Sequence, residues 1–327
     1  MEDDGSTLLR AAELGDVAAE FAHSVAAGLA ASPRRLECRF LYDAVGSTLF
    51  ERICDQPEYY QTRTEAALLE EHAKDIARRT GPVTLVELGS GSSIKTDHLL
   101  SAYLDHDPVV TYVPIDVSFT ALQEAIERLD RHQPDVRVVG VNGRYEDAFP
   151  LLASAAPNLV VFLGSTIGNL TGEEYHAFWR KLETHLGRGD YVLLGVDLIK
   201  SPDLLEAAYN DAAGVTARFT TNLFARMNRE LDAGLSIEGL AHEAHWSPDA
   251  ERIEIHVRFL ERQVLRVAPL DREFLVEAGE RIRVEISRKF SLERVAREVA
   301  DHGFALEASY VDAQGWFGLL LLRREAK

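Results

Sequence analysis

The sequence predicts an α/β protein: a mostly parallel, doubly wound sheet with helices on both faces, joined to a second, discontinuous α+β unit. Three observations carry this expectation. Between residues 83 and 199, short and nearly continuous Val/Leu/Ile runs alternate with helical stretches, the pattern of strands buried on both faces. Beyond Pro202 that rhythm gives way to period-two alternation, the pattern of half-exposed antiparallel strands. The chain then closes on a helix and two further apolar runs, which read as a return to the first sheet.

Residues 1 to about 35 read as helical, since TLLRAAELGDVAAEFAHSVAAGLAA is alanine-rich with apolar residues at helical spacing. SPRR ends that pattern, and a loop-rich stretch follows, FLYDAVGSTLFERICDQPEYYQTRTE, dense in aromatics: Phe40, Tyr42, Phe50, Tyr59 and Tyr60. Helical spacing resumes from Glu65 to Arg79. The parallel-sheet strands are expected at 83–88, 109–118, 136–143, 158–165 and 190–199, with helices near 93–104, 119–131 and 172–186. Residues 202–233 read as helical, and 251–267 and 281–287 as alternating strands. A helix at 291–303 precedes the final pair of strands. The expected division is a recognition domain of 1–63 and 200–288 and a cofactor-binding domain of 64–199 and 289–327.

Composition narrows the function. The chain has 327 residues, 46% hydrophobic and 27% charged, with a net charge of −18. Affinity for phosphate backbones comes from clustered Lys and Arg, so no nucleic-acid partner is expected. The start, MEDDGS, is acidic where a signal peptide is basic, and no run of eighteen apolar residues occurs, so no membrane association is expected. Cys38 and Cys54 form neither a CxxC pair nor another zinc spacing, and a reduced, cytoplasmic location is the simplest reading. HEAHW (242–246) lacks the H-E-x-x-H spacing and a third ligand, so no metal is expected there.

The chemistry-bearing segment is LVELGSGSSIKT (85–96), an apolar strand running through Gly89 and Gly91 into a helix. Glycines allow a sharp turn and close approach to a ligand. The GxxxxGK[ST] spacing of a P-loop is absent, and position 94 is Ile94 where GxGxxG needs its third glycine, so a pyrophosphate is the weaker candidate. The next strand ends in VPIDVS, which puts Asp116 at a carboxyl end, where open sheets bind ligands. It reads either as a grip on two ribose hydroxyls or as the N-cap of the helix starting at Phe119. A ribose without a pyrophosphate points to S-adenosylmethionine, and the closing strand pair fits the Rossmann-like sheet of class I methyltransferases.

Further candidates follow the same reasoning. Asn169, after the fourth strand in GSTIGN, is either an amide that orients both ends of an amino acid or a turn residue beside Gly168. The same stretch is not a hydrolase elbow, because Thr166 stands where the nucleophilic serine belongs. Glu285 and Ser287 lie two apart on a strand and so share a face opposite Ile282, Val284 and Ile286. Together they suit an imidazole N–H or form an ordinary solvated face with Arg281 and Arg283. The aromatics Tyr42, Phe50, Tyr59 and Tyr60 suit a cationic amine or form a helix–loop core.

FLYDAVGSTLFERI, PEYYQTRTE, VELGSGSSIKT, VVFLGSTIGNLT, YNDAAGVTARF and NRELDA together resemble the histidine-specific methyltransferases of ergothioneine biosynthesis, from about residue 30 to the C-terminus. The resemblance implies S-adenosylmethionine as cofactor, no metal, and successive methylation of the α-amine of L-histidine to the trimethylated product, hercynine. It implies cofactor contacts from Gly89, Lys95 and Asp116. Tyr59, Gly164, Asn169 and Tyr209 would hold the amino acid, Tyr42 and Phe50 would surround its amine, and Glu285 and Ser287 would read the imidazole. Two positions depart from the family pattern: Ile255 replaces a frequent Met on the side-chain wall, and Arg144-Tyr145 replaces an acidic–aromatic pair near the adenine. A monomer acting on a small-molecule amino acid is expected. The alternatives are N-methylation of another amino acid such as tryptophan, a non-catalytic cofactor- or amino-acid-binding module, and, more distantly, a nicotinamide oxidoreductase.

Overall fold

The computed structural model describes residues 6–10 and 17–325. In chain order the strands are β1 (Thr7–Arg10), β2 (Thr84–Leu88), β3 (Val110–Asp116), β4 (Val136–Asn142), β5 (Asn158–Phe162), β6 (Tyr191–Asp197), β7 (Leu240–Ser247), β8 (Arg252–Phe259), β9 (Gln263–Val267), β10 (Arg272–Val276), β11 (Arg281–Arg288), β12 (Phe304–Val311) and β13 (Phe317–Arg324). The α-helices are α1 (Val17–Ala30), α2 (Ala44–Cys54), α3 (Gln61–Thr80), α4 (Asp97–Leu104), α5 (Phe119–His132), α6 (Tyr145–Ala155), α7 (Gly172–His185), α8 (Pro202–Tyr209), α9 (Val215–Leu231) and α10 (Leu292–Ala300). Chain contacts divide the described residues into two units. One holds 6–10, Gln61–Ile199 and 289–325; the other holds 17–60 and Lys200–Arg288.

The first unit is built on a sheet of order β1-β4-β3-β2-β5-β6-β13-β12. Strands β1 to β6 are mutually parallel, and β13 runs antiparallel to β6 and to β12. The chain winds outward from β2 to β3 and β4, then crosses to β5 and β6, so the order reverses between β2 and β5. Loops at the carboxyl ends there form the crevice in which open α/β sheets bind ligands. Both faces are covered. Leu68 and Ile76 of α3, Leu99 and Leu100 of α4 and Leu129 of α5 pack on one. Phe149 of α6, Phe178 and Trp179 of α7 and Val295 of α10 pack on the other. That double burial is why the central strands are uniformly apolar.

The second unit has a three-stranded antiparallel sheet, β11-β8-β7, and a two-stranded one, β10-β9. Helix α9 packs on α2 and β7. Strand β8 alternates as its sequence predicts, with Ile253, Ile255, Val257 and Phe259 buried.

Several elements differ from the sequence reading. Thr7–Arg10, expected as helix within the recognition domain, is a strand paired in parallel with β4 and belongs to the first unit's sheet. Pairing at a sheet edge overrides the weak helical preference of four residues. The rest of the expected helix before Val17, residues 1–5 and 11–16, lies outside the described residues. The loop-rich stretch contains α2, capped by the Asp43 carboxylate, which accepts the Gly46 N–H at 2.7 Å. Gly46 lets that helix start against the preceding turn, since a Cβ there would lie 1.8 Å from the Leu41 carbonyl oxygen. The helical reading of 202–233 is broken at 210–214, where Asp211 accepts the N–H groups of Val215 and Thr216 at 2.7 Å each and restarts the chain as α9. The alternating run 251–267 is two strands, and β7, β10 and α6 had no counterpart in the reading. Pro150, inside α6, obscures its helical pattern.

Candidate functional site

In the first unit, the turn after β2 is shaped by Gly89 (φ +69°) and Gly91 (φ +51°), a backbone region that L side chains rarely adopt. The N–H groups of Gly89 and Ser90 both bond to the Ile115 carbonyl, at 2.8 and 3.1 Å. A Cβ built on Gly89 or Gly91 meets no described atom within 4 Å, so the turn has room beside it for a ligand. Beneath it lies Glu87, buried, taking the Thr96 hydroxyl at 2.8 Å and the Tyr112 hydroxyl. Burial pushes this carboxyl up to about 7 against those two hydrogen bonds and the charge of Lys95.

Asp116 ends β3 next to that turn. One carboxylate oxygen accepts the Gly91 N–H at 2.9 Å and the other the Ser118 N–H at 2.8 Å. Burial raises its carboxyl above the usual range while these bonds oppose the rise. The helix-cap alternative is corrected: Ser118 caps α5, its hydroxyl accepting the Ala121 N–H at 3.3 Å. Asp116 instead fastens the glycine turn to the end of β3, and each oxygen keeps acceptor capacity for a ligand hydroxyl.

Lys95 and Gly164 meet at one group that sequence reasoning missed. The fully buried carboxylate of Glu65 pairs with the Lys95 ammonium and accepts the Gly164 N–H at 2.8 and 3.0 Å. A glutamate in a helical stretch reads as solvated; the available signal was Gly195 inside the buried strand β6, because such glycines mark close approach. The turn after Gly164 is stiff. Ser165 sits at φ 55° and its hydroxyl accepts the Asp197 N–H at 2.9 Å, while the Thr166 hydroxyl donates to the Leu163 carbonyl at 2.9 Å. Asn169 closes the 3-10 turn Thr166–Asn169 at the carboxyl end of β5. Arg144 is exposed after β4. Tyr145 is half-buried, its ring 5.6 Å from Phe162 and 5.9 Å from Phe178, so much of it is committed to core packing.

In the second unit the expected residues form one continuous row. Ring centroids step from Tyr42 to Phe50 (5.5 Å), Phe50 to Tyr59 (6.3 Å) and Tyr59 to Tyr209 (6.1 Å). The Tyr209 hydroxyl lies 2.8 Å from that of Ser287. Phe219 of α9 joins the row, 5.4 Å from Tyr42. Tyr60 meets Lys200, whose ammonium donates to its hydroxyl at 2.7 Å and lies 4.6 Å from its ring centroid. Burial, with the neighbouring Tyr209 next, raises the Tyr59 phenol well above its ordinary value.

The face assignment on β11 needs one correction. The register steps from Arg283 opposite His256 to Glu285 opposite Ile255, leaving Val284 as an extra residue. This bulge shifts the alternation by one. Ile282, Glu285 and Ser287 therefore share the face of Val257, Ile255 and Ile253, while Ile286 lies opposite Glu254 on the other. Glu285 and Ser287 thus stand on the buried face of this sheet rather than in a row with Arg281 and Arg283. Within HEAHW, His242 is held by the Thr220 hydroxyl at 3.0 Å and the Tyr209 carbonyl at 2.8 Å.

Among the described residues no helix is long and apolar enough to cross a membrane. Comparison with known proteins gives a family match described as histidine-specific methyltransferase, SAM-dependent, over residues 21–324. The chain is 43% identical over 310 residues to the histidine N-alpha-methyltransferase of Mycolicibacterium smegmatis, covering 94% of this chain and 97% of that protein. It is 39% identical to the protein of the same name from Mycobacterium tuberculosis, with the same coverage. It is also 32% identical over 213 residues to ergothioneine biosynthesis protein 1 of Neurospora crassa, covering 63% of this chain and 24% of that protein. The glycine turn after β2, the acid ending β3 and the antiparallel strand pair closing the sheet all suit the cofactor this match names. The chain belongs to the histidine-specific, S-adenosylmethionine-dependent methyltransferases.

Proposed function

We propose that this chain methylates the α-amino group of L-histidine, successively to the trimethylated product, as a step toward ergothioneine. The observation that carries this reading is the row Tyr42, Phe50, Tyr59 and Tyr209, half-buried at its first two rings and buried at its last two, ending on Ser287 beside Glu285. Aromatic faces attract cationic amines by about 0.5–2 kcal/mol each, and the hydroxyl–carboxylate pair suits an imidazole N–H. Such a row tolerates each more highly methylated product, because a quaternary ammonium needs no hydrogen-bond partner.

When bound, S-adenosylmethionine supplies a methyl group activated by its sulfonium. Asp116 would take the ribose hydroxyls and Lys95 the cofactor's carboxylate, its one anionic group, with the turn at Gly89 closing over it. Arg144 and Tyr145 would flank the adenine. Gly164 and Asn169 would hold the amine, and Asn169 the carboxylate as well, because its amide both donates and accepts. Tyr59 and Tyr209 would fix the amino acid, and Ile255 would wall its side chain. Transfer needs a neutral amine lone pair held in line with the methyl, which is a matter of positioning rather than of acid or covalent chemistry.

We further propose that the enzyme is cytoplasmic and a monomer; cell fractionation tests the first and light scattering on the purified protein the second. The activity is tested with labelled S-adenosylmethionine and a panel of amino acids, the products being weighed by mass spectrometry. Histidine gaining three methyl groups is expected. Preferential labelling of tryptophan, or no labelled product at all, would overturn the reading in favour of another substrate or of a binding module.

A further inference from the structure

Glu65 lies in the second turn of α3, and its carboxylate is wholly buried. A carboxylate taken out of water is tolerated only when it is paired and hydrogen-bonded. Here both partners come from loops at the carboxyl end of the sheet: the Lys95 ammonium, and the Gly164 N–H at 2.8 and 3.0 Å. The chain has made room for this arrangement. A Cβ on Gly195 would stand 2.0 Å from Glu65 Oε1, so any larger residue in the middle of β6 displaces the carboxylate. Gly164 is at φ +70°, and a Cβ there would come 3.9 Å from the Lys95 ammonium. The Lys95 charge also opposes the upward push on Glu87 beneath the glycine turn. One cation therefore acts on two buried carboxylates, and one of them, Glu65, also accepts the N–H of a backbone turn.

We propose that Glu65 is a positioning residue that sets the Lys95 ammonium and the Gly164–Asn169 turn in one fixed relation, registering the loop after β2 with the loop after β5. This rests on reading Lys95 as a cofactor contact and the Gly164–Asn169 turn as the element that holds the amine. Without the Glu65 carboxylate, the partly exposed Lys95 ammonium loses the ion pair that sets its position relative to the Gly164 turn. Without the carboxylate, the Gly164 N–H loses its acceptor and the turn loosens.

The test combines calorimetry with S-adenosylhomocysteine and steady-state kinetics with histidine. Glu65→Gln keeps the shape and an oxygen for the Gly164 N–H but removes the charge partner of Lys95. It is expected to weaken S-adenosylhomocysteine binding by about tenfold and to leave KM for histidine unchanged. Glu65→Ala removes both bonds and is expected to weaken binding and raise KM for histidine. Gly195→Ala, which pushes the carboxylate aside with its charge intact, is expected to reproduce the Glu65→Ala losses. Groups acting as a unit are non-additive, so Glu65→Gln combined with Lys95→Met should bind no more weakly than Lys95→Met alone. A glutamate that merely supports the fold would lower Tm and leave affinity and KM of the folded protein intact; that result would overturn the proposal, as would additivity or unchanged affinities in Gly195→Ala. If Lys95→Met binds weakly while Glu65→Gln binds normally, the inference fails alone. If Lys95→Met itself binds normally, the cofactor role of Lys95 fails and the inference with it.

Discussion

Glu285 stands directly opposite Ile255 in the antiparallel register of β11 and β8, one residue past the bulge at Val284. A carboxylate and an apolar branched side chain thus share one face. Glu285→Ala is expected to lower kcat/KM for histidine by roughly ten- to hundredfold, the cost of losing a hydrogen bond to a charged group. S-adenosylhomocysteine affinity should stay unchanged. The apolar room left beside Ile255 should let tryptophan or phenylalanine compete. Steady-state kinetics on the three amino acids checks this; wild-type kcat/KM for histidine would remove Glu285 from imidazole recognition.

Asp116→Ala is expected to weaken S-adenosylhomocysteine binding by roughly ten- to hundredfold. It removes the acceptor for a ribose diol and frees the Gly91 N–H that shapes the glycine turn. Helix α5 should persist, because Ser118 supplies its cap. Calorimetry and circular dichroism together decide it. Unchanged affinity with a native spectrum would leave Asp116 only the task of joining the turn to β3.

Asn169→Ala separates orientation from binding. Misplacing a reacting group by about 1 Å can cost on the order of a hundredfold in rate, so kcat should fall by about that factor while cofactor affinity hardly moves. The turn itself is held by Ser165 and Thr166, and circular dichroism should stay native. Near-normal turnover, or a defect confined to stability, would return Asn169 to the role of a turn residue.

Glu87 gives stability a pH dependence of definite sign. Its carboxyl titrates at an ordinary value of 4.5 in the unfolded chain and at about 7 when folded, because of burial. Between those values the folded state holds a proton that the unfolded state has released, so stability falls as pH rises. The contribution is complete below about pH 4.5 and is lost as pH passes about 7, a change of roughly 3 kcal/mol. Urea denaturation of the wild type from pH 5 to 8 should show this decline, and Glu87→Gln should flatten it. Parallel profiles for the two proteins would show that Glu87 does not titrate in this window.

Whatever depends on local pattern can be read from the residues alone. Uniform apolar runs marked the strands buried on both faces, from Thr84–Leu88 to Tyr191–Asp197. The glycine turn and Asp116 were legible because positive φ and a carboxyl-end acid are written in neighbouring residues. The motifs around FLYDAVGSTLFERI, PEYYQTRTE and YNDAAGVTARF hold Tyr42, Phe50, Tyr59 and Tyr209, which join in one row that meets Ser287 of β11. Tertiary structure decided what depends on partners distant in sequence. Thr7–Arg10 is a strand only because β4 offers it an edge. The face of Glu285 turns on a single extra residue at Val284, which period-two counting cannot see, because a bulge exists only in the pairing of two strands. Glu65, in an ordinary-looking helix, became a buried anchor because Lys95, Gly164 and Gly195, 30 to 130 residues further on, meet there and leave it both the partners and the space.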